Sequence, residues 1–180
     1  MRFQFPARHF ALALALAAGV SHADSFFMKI KGQKTGEFKG GVTIKGREGA
    51  ILVQGISHGI VSPRDPQSGL PTGQRQHSPM IVTIPLDQSV PLLYNALITN
   101  ENLSTLGLSF YSKNVSGNDI NLYNINLTNA NIASIQQTTT TDANGQNPLP
   151  ALKVTFTYQK IQWTWTTGGT SATDSWEARN

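Results

Sequence analysis

The last long apolar stretch of the chain, residues 152–165, alternates apolar and polar side chains but changes phase halfway along. Alternate residues from Leu152 to Tyr158 fall on one face of a strand, and alternate residues from Ile161 to Trp165 fall on the other. Because strand side chains alternate with a period of two, the phase change requires a β-bulge or a strand that changes neighbours. We predict this kink near Gln159 and Lys160.

A second long strand changes phase in the same way, between Leu122 and Tyr123. Long kinked strands suit a closed or nearly closed barrel, in which local irregularities supply the curvature. The polar residues between the two strands, Gln137–Pro150, are predicted to form a loop. The predicted fold is therefore mainly β: a compact β-barrel of two antiparallel sheets.

One α-helix is predicted on the side of this barrel. Ser89 can cap its N-terminus, and Pro91 lies in the first turn, where a missing N–H costs nothing. An apolar stripe follows over residues 92–97, and Asn100 marks the predicted end.

Shorter strands are predicted at Phe26–Ile30, Ala50–Ile56, Met80–Pro85 and residues 106–110. In the third of these, Met80, Val82 and Ile84 share one face. The residues after Gly168 are rich in glycine, serine and threonine, and we expect them to form a tail.

A long loop is predicted at Ser57–Ser78, which contains three prolines and three glycines and shows neither a helical nor a strand period. Loops of this length in a compact domain usually have a function or make a contact.

The N-terminus has the pattern of a secretory signal peptide. Arg2 and Arg8 precede the apolar run Phe10–Val20, and Ala23 ends a short stretch that fits a cleavage site. We expect residues 1–23 to be removed, leaving a domain at 24–180 and a secreted protein that passes through the periplasm. The apolar run is too short for stable membrane insertion.

The charge of the chain does not indicate a nucleic-acid partner. The formal net charge is +4, and it falls to +2 once Arg2 and Arg8 are removed. The remaining basic residues are scattered, without a dense run or interleaved aromatic residues.

The residues that could support chemistry are few. The chain has no cysteine, and the only histidines after the leader are His58 and His77. Nucleophile motifs, metal-ligand spacings and phosphate-binding loops are absent from the sequence. We predict no catalytic residues, no metal site and no cofactor, and therefore a protein that is not an enzyme.

Three tryptophans leave an alternative open. Trp163 and Trp165 share one face of a predicted strand, and Trp176 follows in the tail. Paired aromatic rings on a β-face can stack on sugars, so a surface- or carbohydrate-binding domain is the second hypothesis. The other interpretation is that these rings pack in the core or against another subunit.

Four stretches carry a family resemblance: Gly55–Leu97 (beginning GISHGIVSPRDPQSG), Leu127–Ile135 (LTNANIASI), Val154–Trp165 (VTFTYQKIQWTW) and Gly168–Arg179 (GGTSATDSWEAR). In order and spacing the chain resembles the haemolysin-coregulated protein family, Hcp, of type VI secretion. The resemblance implies a structural and carrier protein that forms a homohexameric ring. Rings of this family stack into a tube that a sheath propels. The implied partners are further copies of the chain, sheath and spike proteins, and small effectors.

The resemblance also assigns a contact role to the long loop, which should reach a neighbouring ring or subunit. Arg64, Asp65, Arg75 and His77 are the candidate contact residues, because they offer polar groups across a rim. The alternative is a mobile surface loop.

The signal peptide departs from the family pattern, whose members normally lack one. Three explanations are open. The true start lies further along the chain, the signal is genuine and the protein is exported independently, or the segment is retained for another purpose. Met28 is a poor alternative start, because it would remove part of the first predicted strand.

Overall fold

The computed structural model describes residues 25–142 and 144–176, and the predicted signal peptide lies outside them. The described chain is mainly β with a single short helix, as predicted. Its elements in chain order are β1 (Ser25–Gly32), β2 (Gly36–Glu37), β3 (Ile51–Val53), β4 (Gly55–Ser57), β5 (Ile60–Val61), β6 (Gln76–His77), β7 (Met80–Pro85), α1 (Val90–Ile98), β8 (Leu103–Lys113), β9 (Asp119–Thr141), β10 (Pro148–Trp165) and β11 (Thr170–Ser175).

The main sheet has the order β2-β1-β8-β9-β10-β7-β4, with β3 paired to β1 and β11 paired to β10. This path is open, so the predicted closed barrel is wrong. The predicted strand Ala50–Ile56 is interrupted at Gln54, whose N–H donates to the carbonyl of Thr83 at 2.8 Å. The half before Gln54, β3, pairs with β1, and the half after it, β4, pairs with β7. In the described chain, no continuous strand therefore pairs with both β1 and β7 to close the sheet.

A crease crosses the centre of the sheet and confirms the kink predicted near Gln159. Ladder pairs form on both sides of Gln159 and of Asn129, the residue opposite it on β9, but not at these two positions. Asn129 has a φ of 50°. Around this point the buried residues are three apart instead of two in each of three neighbouring strands: Leu103 and Leu106, Leu127 and Ala130, and Tyr158 and Ile161.

The second predicted phase change is also confirmed. The pairing of β8 with β9 shifts register between Phe110 and Tyr111, which leaves Leu122 as the extra residue on β9. The carbonyl of Leu122 accepts a hydrogen bond from the N–H of Thr166 at 2.9 Å instead.

Two segments predicted to be irregular are strands. The predicted loop Gln137–Pro150 is the far end of a long hairpin, because β9 continues to Thr141 and β10 begins at Pro148. The predicted tail contains β11, which pairs with β10 from Lys160 to Trp165. Both are polar and mostly exposed, so they lack the apolar alternation that identifies a strand in a sequence.

The helix α1 begins after Ser89 as expected, but the predicted capping by the serine side chain is wrong. The Ser89 hydroxyl donates to the Asp87 carboxylate instead of accepting from the first turn. The predicted end is confirmed, since Asn100 follows the helix with a φ of 49°. Leu93 and Ala96 are buried against the sheet.

The core is a single apolar cluster between the two halves of the curved sheet and α1. Met80, Val82 and Ile84 are fully buried within it, as their alternation predicted. No helix in the described part of the chain combines the length and apolarity needed to cross a bilayer.

Candidate functional site: the arm and its anchor

The predicted loop Ser57–Ser78 is a β-ribbon, and we call residues 60–77 the arm. β5 and β6 pair at its base, where Ile60 lies opposite His77. A further bridge joins Arg64 to Pro71 closer to the tip. Between these pairs the arm is mostly exposed, and Val61 and Leu70 present apolar side chains to solvent.

Two of the predicted contact residues, Arg64 and Asp65, shape the tip. The Arg64 guanidinium donates to the carbonyl of Gly69 at 3.1 Å. Asp65 accepts hydrogen bonds from the backbone N–H groups of Ser68, at 2.7 Å, and Gln67, at 3.0 Å. The bonds from Ser68 and Gln67 hold the pKa of Asp65 below its ordinary value. Contacts of this tip with other copies stay a prediction.

The other two, Arg75 and His77, are bonded inside the chain. The guanidinium of Arg75 donates to both carboxylate oxygens of Asp174 on β11. His77 Nε2 lies 2.9 Å from Asp174 Oδ2. Asp174 therefore anchors the end of the arm, and the Arg75 hydrogen bonds lower the pKa of Asp174 to about 2.

Tyr158 on β10 provides a second anchor between the two histidines. Its hydroxyl oxygen lies 2.6 Å from His58 Nε2 and 2.8 Å from His77 Nδ1. Tyr158 is 5% exposed. Burial, together with the nearby Asp174 charge, raises the pKa of Tyr158 to about 12. Residues far apart in the sequence thus fix both ends of the arm to β10 and β11.

The order Asp174–His77–Tyr158 has the connectivity of a catalytic relay, but its chemistry does not support catalysis. A nucleophile must be reachable and readily deprotonated, whereas Tyr158 is buried and its pKa is raised. Within the two described ranges, no group of three histidine or acidic residues could hold a metal ion. What the contacts of the cluster do show is that they join the base of the arm to β10 and β11.

The three tryptophans differ in their surroundings. Trp163 packs against the core and His58, and its ring centroid lies 6.5 Å from that of the histidine. Trp165 lines a cleft of about 310 Å³ with Phe26 and Tyr123. Trp176 covers His77 at a centroid distance of 5.7 Å. Because Trp163 packs against the core, it does not form an exposed flat pair with Trp165, and this does not favour the carbohydrate-binding hypothesis.

A second surface is the sheet face opposite the core, formed by five adjacent strands, and we call it the polar face. Its central row consists of residues paired in register, Lys29, Gly107, Asn126, Gln162 and Thr173. The next row consists of Lys31, Thr105, Thr128, Lys160 and Ser175. Apart from three lysines, these side chains are small or uncharged, and the surface has no apolar patch in these rows.

Comparison with known proteins gives consistent matches. Residues 27–165 match the family model described as "Type VI secretion system effector, Hcp". The chain is 36% identical to the "Major exported protein" of Pseudomonas aeruginosa, over 84% of this chain and 95% of that protein.

Solved structures match across the same region. A crystal structure of an Hcp protein has a TM-score of 0.79 at 33% identity and covers 87% of this chain and 100% of its own. The structure of Hcp1 from an enteroaggregative Escherichia coli strain has a TM-score of 0.76 at 28% identity, and the match covers 86% of this chain and 99% of that one. The structure of the secreted protein Hcp3 of Pseudomonas aeruginosa has a TM-score of 0.70 at 28% identity, and the match covers 87% of this chain and 100% of that one.

Proposed function

Because this chain belongs to the Hcp family of the type VI secretion system, we propose that its domain assembles with identical copies into hexameric rings that stack into a tube. It is a secreted tube protein of this system, and the ring and its stacking are the steps we infer. The domain contributes shape and surface to this task, as expected of a structural secretion protein.

The polar face is the observation that carries the ring proposal. An opening through which proteins travel needs a wetted wall without apolar patches that would retain them. Apart from its three lysines, the polar face has this character, with in-register side chains such as those of Asn126 and Thr173. We infer that the polar face lines the opening of the ring and meets the transported effectors.

Free strand edges supply surfaces through which copies can join. Among the described strands, β11 pairs only with β10, and β9 pairs with β8 only as far as Ala130. An unpaired strand edge presents N–H and C=O groups ready to bond another chain. Two different edges on one subunit allow a head-to-tail contact, which gives a ring if the rotation closes.

The arm is the part suited to contact a neighbouring ring. Its base is fixed by Asp174 and Tyr158, so little conformational entropy remains to be lost when its tip binds. The tip combines the polar groups of Arg64 and Asp65 with the exposed side chain of Leu70. We infer that this tip reaches the next ring, and sheath and spike proteins are the further partners of such a tube.

Mass photometry and electron microscopy of the purified protein test the ring. We expect closed annuli, and a well-folded protein that remains monomeric at high concentration would contradict the proposal.

Shortening the arm to a glycine-serine turn should reduce stacking and leave single rings. Loss of single rings in that variant would contradict the role assigned to the arm.

Thiol labelling tests which face lines the opening. The described chain contains no cysteine, and the full sequence has none, so Asn126→Cys places one thiol on the polar face. We expect a bulky polyethylene-glycol maleimide to react slowly with assembled stacks and quickly with dissociated chains of the same variant. Equal rates in the two states would show that the polar face lies outside.

A further inference from the structure

The hydroxyl of Tyr158 is shared by two imidazoles, which limits how many protons the group can hold. His77 Nε2 faces the Asp174 carboxylate at 2.9 Å, so this nitrogen carries a hydrogen. In neutral His77 the other nitrogen, Nδ1, is then an acceptor, and the Tyr158 hydroxyl donates to it. The Tyr158 oxygen in turn accepts from His58 Nε2–H. The Tyr158 hydroxyl therefore both donates and accepts in this arrangement, and both nitrogens of His77 have a partner.

One additional proton can be accommodated. If His77 becomes an imidazolium, its Nδ1–H donates to the Tyr158 oxygen. The phenolic hydrogen then turns to His58 Nε2, and the neutral His58 carries its hydrogen on Nδ1. The three hydrogen bonds of the cluster are all retained, so this protonation leaves the arm anchored.

A second proton cannot be accommodated. With both imidazoles charged, each directs an N–H at the same oxygen, and the phenolic hydrogen has no acceptor among these residues. The two positive rings also lie only 6.4 Å apart. An unpaired polar group and like charges in a buried site both cost free energy.

We propose that His58, Tyr158 and His77 form a histidine latch that holds the base of the arm with up to one added proton and opens when a second one binds. When the latch opens, His58 is the residue that detaches from the Tyr158 hydroxyl. It is half-buried and joins β4 to β5, whereas His77 stays bonded to Asp174. The latch lies within one chain, so it does not depend on the assembly proposed above.

The groups that face the latch come from each element around it. β11 contributes Asp174, whose charge is balanced by Arg75 from the arm. β10 contributes Tyr158 itself and Trp163, and Trp176 covers His77. Lys160, the charged residue of β10 beside this site, is exposed.

The direction of the pH effect follows from His58. Burial, and then the nearby His77, lower the pKa of His58 below its ordinary value of 6.5. A detached His58 therefore binds a proton more readily than a latched one. The stability of the latched state is full above the ordinary pKa and is lost as the pH falls through the lowered value.

Hydrogen exchange of the purified protein, followed by mass spectrometry, tests the latch. The backbone bond from Ser78 to Gly59, at 2.9 Å, and the β5–β6 ladder should report on its opening. We expect protection of these amides, corrected for intrinsic exchange, to fall by up to about tenfold per pH unit below neutrality. Protection that is constant down to about pH 5 would overturn the proposal.

Two matched variants distinguish a two-proton latch from the titration of one histidine. His58→Gln removes the imidazole that detaches when the latch opens, so it should abolish the pH dependence at the arm base. His77→Gln removes the nearby second charge but not the burial of His58, so it should weaken the dependence without abolishing it. An unchanged dependence in either variant would overturn the latch.

The histidine ring signals in NMR spectra of the unmodified protein provide a second test that does not depend on these variants folding. The chemical shifts of the arm amides should change together with the ring signals of His58. Arm shifts that do not follow the His58 signals would overturn the latch as well.

Discussion

At the scale of single residues, Glu101 is a charged side chain held in a buried position, where it is 3% exposed. Its carboxylate accepts hydrogen bonds from the N–H groups of Lys34, at 2.8 Å, and Thr35, at 2.7 Å, and from the Thr35 hydroxyl. Burial by itself raises the pKa of Glu101, but these bonds outweigh it and the pKa lies below its ordinary value. Glu101 thereby fixes the turn between β1 and β2.

This arrangement predicts that Gly32→Ala is destabilising. A Cβ at position 32 would lie 2.3 Å from Glu101 Oε1, and the hydrogen bonds of Glu101 restrain it from moving aside. We expect a loss of about 1–3 kcal/mol in the free energy of unfolding, measured by urea denaturation. Gly73→Ala is the control, because a Cβ there meets nothing within 4 Å, and a comparable loss in it would refute this explanation.

Asp174 gives a pH-dependent prediction. Its pKa lies at about 2, below the ordinary value of 3.8, chiefly because of the hydrogen bonds from Arg75. The stability that it contributes is therefore present above its ordinary pKa and is lost as the pH falls through about 2. In acid denaturation, Asp174→Asn should be less stable than the unmodified protein at neutral pH and should approach it below about pH 3. Parallel curves for the two proteins would contradict this role.

At the scale of the elements, the crease is what bends the sheet around the core. In β8 the bend lies at Ser104, whose hydroxyl donates to the carbonyl of Lys31 at 3.0 Å. In β9 it lies at Asn129, whose side-chain amide donates to the Gln159 oxygen at 2.7 Å. Because neighbouring strands bend at the same level, each keeps its apolar residues facing the core on both sides of the crease.

The crease predicts opposite outcomes for two substitutions of Asn129. Its φ of 50° lies in the left-handed region, which β-branched residues disfavour strongly. Asn129→Val should cost about 1–2 kcal/mol in unfolding free energy from the backbone alone. Asn129→Gly, which also loses the bond to Gln159, should be less destabilising in the same thermal or urea melts. A glycine variant no more stable than the valine variant would show that the side-chain bond, and not the backbone, fixes the crease.

At the scale of the whole molecule, the open sheet leaves surfaces that a solitary domain would normally cover. Within the described residues, β11 pairs on one side only, and large apolar side chains on the surface include Leu70 and Trp176. Exposed strand edges are usually blunted in monomeric proteins, because they template pairing with other chains. The free strand edge and the exposed apolar side chains therefore support the proposal that the subunit assembles with identical copies.

The N-terminal processing proposed for this protein gives a further prediction. If the leader is genuine, intact mass and N-terminal sequencing of the protein secreted by its native cell should find Asp24 as the first residue, because small side chains precede it. Ala23→Asp should then block cleavage and retain the precursor. Secreted protein that retains residues before 24 would contradict processing at this site.

Apolar patterning accounts for how much of the fold could be predicted. Met80, Val82 and Ile84 are buried together because a period of two places them on one face. The phase change after Tyr158 predicted the crease for the same reason. The assignment to the family followed from long stretches in order, while the polar strands β11 and the far half of β9 carried no such pattern and were missed.

The sequence by itself therefore determined that the chain is mainly β with one helix, which faces are buried and where both bends lie, because apolar residues record in their spacing which side of a strand meets the core. Long stretches in order determined the family. Only the tertiary structure decided that the sheet stays open, that the arm is a ribbon, and that His58 meets Tyr158 100 positions away. Those outcomes depend on which distant segments come together and pair their polar groups. Local spacing carries no record of that choice.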